Sequence, residues 1–149
     1  MSRKKAPPPA PPPEVDKEQA KEDAYVDEKL EWSIDQMIAN TLHPSAPISA
    51  LDVQQAMTLL IALGQRKKLT PDEFLALLDD AVNGISLIEA AKSEMRVLRK
   101  FGPVMTEEQK DALMADVKET SKAVEFRRKS LYDRFMLIRQ CAQKGVTVH

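Results

Sequence analysis

Apolar residues recur at three- and four-residue steps through most of this chain, which is the period of helices that bury one side. In the first such stretch Val26, Leu30, Ile34 and Met37 form one stripe, while Tyr25 and Trp32 project from roughly the opposite side. The spacing predicts a helix over about 14–42 with two apolar faces, stopped by Pro44 and Pro47. A second helix is expected over 50–63, with Ser49 as N-cap, Gly64 as C-cap, and Leu51, Ala56, Leu59, Leu60 and Leu63 inward. A third is expected over 71–83. Thr70 is its N-cap, Pro71 its first residue and Glu73 its capping-box partner, and Asn83-Gly84 closes it. Phe74, Leu77, Leu78 and Ala81 form its inner side.

A fourth helix is expected over 86–101, ended by Gly102-Pro103. A fifth runs over 106–144 behind a capping box of Thr106 and Gln109. Unbroken, it would reach roughly 58 Å, against about 40 Å for the diameter of a compact domain of this length. It therefore bends near Lys118 to Lys122, or forms a long hairpin, or enters a bundle between subunits. Leu113, Val117, Val124, Leu131, Phe135 and Ile138 share one narrow arc of this helix, with Arg128 among them. A buried arginine needs a partner, for which a carboxylate is expected. Phe126 and Leu137 lie on the reverse side.

These patterns give an all-α fold: a four- to five-helix bundle, or an extended helical hairpin with a long C-terminal helix. Residues 14–144 form the helical domain. Residues 1–13 carry six prolines in seven positions behind Arg3, Lys4 and Lys5, and are expected to be a disordered or semi-rigid tail. Residues 145–149, with "VTVH", form a C-terminal tail for which pairing as a strand stays open.

Composition agrees with helices: 43% hydrophobic, 5% aromatic, 30% charged and only four glycines in 149 residues. The net charge is −1, so no global field draws the chain to nucleic acid or to an anionic membrane. No apolar run is long enough to span a bilayer, and prolines replace the apolar core of a signal peptide. The single cysteine, Cys141, suits a reducing compartment. The expected location is the cytoplasm, or a particle assembled inside the cell.

Charge is segregated. Residues 14–35 hold nine acids and three lysines, whereas residues 120–144 hold seven bases and two acids. Segments of opposite sign that nearly cancel suit packing within a chain or between copies. The bases of the last helix are scattered around its cylinder, unlike those of a helix lying along a phosphate backbone. Lys92, Arg96, Arg99 and Lys100 do gather on one side, opposite Leu87, Ala91, Leu98 and Phe101. With Arg66, Lys67 and Lys68 they form a candidate surface for nucleic acid or another anionic partner. They also suit a solvated face, or a dock for the acidic first helix.

Catalytic and metal motifs are missing. His43 and His149 have no ligand partners at metal spacing, and Cys141 has no histidine near it in sequence. No phosphate loop, nucleophile elbow or calcium-loop ligand series occurs. The expectation is a protein that is not an enzyme, with no cofactor, no small-molecule substrate and no membrane partner. It would oligomerise or dock in a larger complex, including a virion, through Tyr25, Trp32, Phe126 and Leu137. An alternative is an oligomeric nucleic-acid adaptor. In layout, a small helical chain with oligomerising helices and basic surfaces, the protein resembles phage terminase small subunits. That resemblance implies rings that feed DNA to a larger machine. A further alternative is a chaperone or adaptor recognised through "PPPAPPP".

Overall fold

The computed structural model describes residues 13–44 and 46–144, and side chains from Lys17 onward. The expectations for the proline-rich tail and for "VTVH" lie outside these residues. The described chain is helical throughout, without a β-strand. α1 spans Pro13–Gln36 and runs into a π-helical turn, Met37–Thr41. α2 spans Ala50–Gln65, α3 Pro71–Phe101 and α4 Glu107–Lys144.

Local chemistry sets most boundaries. Ser49 Oγ accepts from the Asp52 amide at 3.2 Å, and Asp52 accepts from the Ser49 amide at 2.9 Å, which makes a complete capping box. Thr106 and Gln109 make another ahead of α4. Thr70 caps α3 by accepting from the Glu73 amide at 3.3 Å. The Glu73 carboxylate does not complete that box. It reaches across to Arg134 at 2.9 Å, where an interhelical ion pair replaces the local bond.

Further expectations are corrected. α3 does not stop at Asn83-Gly84 but continues to Phe101, so the third and fourth expected helices are one. Asn83 turns its amide back onto Asp79, and Gly84 is buried where Val53 of α2 and Arg127 of α4 approach it. Packing here overrides the local tendency to end the helix. Gly64 is not the cap of α2. It lies under the Phe74 ring, and the left-handed residue is Lys67 (φ 57°), whose amide reaches Gly64 while that of Lys68 reaches Leu63. Leu51, expected inward, is exposed, because Ala50 and Val53 take the inner side of that turn.

The helices run up, down, up and down, each beside the next, with α4 also against α1. One core joins Ile34 of α1, Val53, Leu60 and Leu63 of α2, Leu77 of α3, and Leu131 and Phe135 of α4. α4 is continuous across Lys118–Lys122, and at 1.5 Å per residue its 38 residues reach about 57 Å.

That length divides the molecule. Below Ile88 on α3 and beyond Arg128 on α4, four helices enclose the core. Between these residues only Gly102, in the turn, is buried. α3 and α4 thus continue past the bundle as a two-helix arm, about 20 Å long on the α3 side. Phe101, expected on the packed side of α3, is exposed near the arm's tip because no other helix reaches it.

Candidate functional site

Four sets of interhelical contacts hold the bundle, and each consumes cations that a sequence leaves unassigned. Asp80, only 5% exposed, lies between α3 and α4. It pairs with Arg127 at 2.8 Å and Arg134 at 3.2 Å, and accepts from the Ser130 hydroxyl. Hydrogen bonding to Asp80 raises the pKa of Arg127 above its ordinary value, against a smaller opposing effect of burial. The buried carboxylate is thereby compensated on three sides.

Arg128, also 5% exposed, is the second set. It donates to the main-chain carbonyls of His43, Pro44 and Ala46 and meets the Glu125 carboxylate. The expected carboxylate is present, but three of its four partners are carbonyls of the turn between α1 and α2. Sequence spacing carries no trace of that turn's proximity.

The other two sets dock α1. Arg66 pairs with Asp27 at 2.9 Å and Asp23 at 3.2 Å, and Lys68 reaches Asp27 at 3.7 Å. Hydrogen bonds that Arg66 donates to Asp27, then to Asp23, raise its pKa. Arg139 of α4 pairs with Asp35 at 2.7 Å and Glu31 at 3.4 Å. The acidic first helix meets a dock of opposite sign, as segregated charge suggests, but at Arg66, Lys68 and Arg139.

The candidate anionic-partner surface is therefore divided. Arg66 and Lys68 are engaged with α1, and Lys67 is exposed beside them. Lys92, Arg96, Arg99 and Lys100 lie on the arm, roughly 35 Å further along α3 at its helical rise. Lys92 pairs only with Glu89 on its own helix, and Lys100 rests over the Phe101 ring. Among the described residues, Arg96 and Arg99 have no ion-pair partner.

The four candidate interface residues are all exposed but do not form one patch. Trp32 and Tyr25, each 60% exposed, stand on the outer side of α1. Phe126, at 69%, and Leu137 stand on the outer side of α4, where Phe126 lines two shallow grooves.

The groove that sequence reasoning missed lies on the arm, with a volume of about 620 Å³. Its floor is apolar: Ile88, Ala91 and Met95 of α3, Val117 and Val124 of α4, and Ile48 at the bundle end. Lys92, Arg96 and Arg99 form one wall, with Ser121 and Glu125 on the other. Deeper in the seam the Thr120 hydroxyl donates to Glu94 at 3.0 Å, while the second Glu94 oxygen is buried without a hydrogen-bond partner.

Among the described residues, no cluster of three or more His, Cys, Asp or Glu side chains is placed to hold a metal ion. No described helix is long and apolar enough to cross a membrane. Cys141 is half-buried against the core, and the His43 ring meets Tyr132 edge-on at 6.3 Å. No family model matches the sequence, and no curated protein or solved structure matches it.

Proposed function

We propose that this protein is a non-catalytic assembly subunit, joining other protein chains, copies of itself among them, within a larger complex. One observation carries the reading. The four-helix core closes without Trp32 or Phe126, yet both rings stand well out of it. Each is able to bury on the order of 150–250 Å² against a partner, and aromatics are the residue type that most often dominates such contacts. A virion or another particle built inside the cell is a setting that suits this role.

A nucleic-acid adaptor is the second reading, favoured by the unpaired Arg96 and Arg99. The chemistry around them argues for protein. An apolar floor lies beside them, no aromatic ring lines the groove for base stacking, and Glu125 stands on the facing wall. Light scattering coupled to size exclusion, on the full chain at low and high salt, tests the choice. A stable oligomer at both salts supports assembly through apolar contact. A monomer that retains DNA at moderate salt supports the adaptor.

A further inference from the structure

The seam between α3 and α4 has two sides. One carries α1 and α2 in the body and the groove on the arm. The other, the back face, looks away from α1 and α2 along its whole length. There Leu87 and Ala90 of α3 and Ala123 and Phe126 of α4 line a shallow valley, and a second valley follows between Glu73, Phe126 and Leu137. At 100° per residue, Leu75, Val82, Val97 and Phe101 point the same way, roughly opposite the buried line of Leu77, Ala81 and Ile88. All four are exposed, as are Phe126 and Leu137. An apolar strip therefore runs over the back of both helices, and no described element covers it.

The extent of this strip argues for a second copy. The 31 residues of α3 reach roughly 46 Å, and two packed helices are about 20 Å wide. Two such faces in contact bury on the order of 1,600 Å² in total, the size of a stable specific interface.

Charge argues how the copies lie. Glu73 with Arg134, Asp80 with Ser130, and Glu94 with Thr120 set which residues of α3 and α4 are level with each other. On that scale Asp79 is level with Lys129, and Glu89 with Lys122. Glu89 and Lys122 stand on opposite flanks of the back face, each ion-paired only within its own helix, to Lys92 and to Glu119. Such exposed pairs contribute little. Two back faces can be laid together about a two-fold axis that runs along the bundle. That rotation keeps every height and exchanges left with right. α3 of each copy then lies on α4 of the other, antiparallel to it. Asp79 meets Lys129 of the second copy, Glu89 meets Lys122, and each pair forms twice. The apolar positions share this register: Phe126 comes over Val82, and Leu137 over Leu75. An axis across the bundle would instead lay α3 on α3 and α4 on α4, with acids toward acids and lysines toward lysines.

From these features we infer that the back face of α3 and α4 is a self-association surface, on which two parallel copies form a central up-down four-helix bundle. The inference rests on the assembly reading and names its partner as this same chain. α1 and α2 of both copies lie on the outside of the pair, so they do not obstruct it. Trp32 and the arm groove stay open to other partners. A polyanion does not fit the back face, where Asp72, Asp79 and Asp133 are exposed among the lysines.

Sedimentation velocity over a concentration series of the full chain tests this. The wild type is expected to pass from monomer to dimer. Glu89→Lys and Lys122→Glu each place like charges together at two points and should weaken the dimer about tenfold or more. Both positions are exposed, so circular dichroism should stay unchanged. An equal mixture of the two variants should recover the wild-type affinity, because the mixed pair has opposite charges at both points. Phe126→Ser should leave a monomer at concentrations where Trp32→Ser remains a dimer. An oligomer indifferent to Glu89→Lys, Lys122→Glu and Phe126→Ser overturns the back-face pairing and leaves the assembly reading standing. A monomer at every concentration overturns the pairing and self-assembly together. Loss with both charge variants but no recovery on mixing overturns the two-fold arrangement. Dissociation by Trp32→Ser in place of Phe126→Ser overturns the back face and moves the contact to α1.

Discussion

Arg128 on α4 donates to the carbonyl of Pro44 at 2.7 Å, across 84 residues of chain. This one guanidinium ties the turn that follows α1 to the middle of α4. Arg128→Ala would remove the arginine donor from the carbonyls of His43, Pro44 and Ala46, although that of His43 also accepts from the Ala46 amide at 2.9 Å. Losing these bonds together with the buried guanidinium is expected to cost about 2–3 kcal/mol in urea unfolding. Arg128→Lys should recover only part of it, since a lysine cannot spread its donors over three carbonyls. A loss under about 1 kcal/mol for Arg128→Ala would show that water replaces the arginine and that the turn is not held by it.

Neighbouring acids on α3 should differ sharply. Asp80 holds Arg127, Arg134 and Ser130 from a buried position, whereas Asp79, with its side chain 66% exposed, meets Arg127 at 3.3 Å. Asp80→Asn should cost about 2–3 kcal/mol, because two arginines keep their charge beside a neutral amide. Asp79→Asn should cost under about 1 kcal/mol, as exposed pairs do. Guanidinium would mask the ionic part, so urea is the denaturant to use. Equal losses at the two sites would refute the assignment of the clasp to Asp80.

The backbone gives two stabilising substitutions. Lys67 occupies the left-handed position that ends α2, so Lys67→Gly removes a steric cost and should raise stability by about 0.5–1 kcal/mol. Gly84 lies inside α3, and an added Cβ would sit 3.9 Å from both Val53 and Arg127, at ordinary contact distance. Gly84→Ala should therefore also add about 0.5–1 kcal/mol through helix propensity. Gly64→Ala should do the reverse, since its Cβ would meet the Phe74 ring at 3.2 Å. Thermal melts of the three variants check the signs. A destabilised Gly84→Ala would count against an unbroken α3.

These residues also mark the limit of what the sequence discloses. The all-helical fold was legible because apolar period and capping chemistry agree at Ser49, Thr70 and Thr106. The continuity of α3 was not, because Asn83-Gly84 has the composition of a helix end. What keeps it helical is Val53 and Arg127, distant in sequence. Gly64 failed as a cap for a related reason: the left-handed turn fell on a lysine three residues later. The outward stance of Trp32 and Phe126 followed from angle alone. The arm groove was hidden because its floor and both walls satisfy ordinary helix patterns. Only the length of α4 relative to the bundle leaves them uncovered.

Trp32 and Phe126 bear most directly on the proposed assembly role. Each lies outside the core, so Trp32→Ser and Phe126→Ser should change unfolding free energy by no more than about 0.5 kcal/mol. If they are contact residues, the double variant should lose partners at a cost of about 2 kcal/mol or more per ring, roughly thirtyfold in affinity. Their loss should be independent of salt, because the contact is apolar. That separates them from a cationic contact through Arg96 and Arg99, whose effect should shrink as salt rises. A double variant of unchanged stability and unchanged mass at all salts would leave the two rings without a role in assembly. A double variant that unfolds would place them in the core after all.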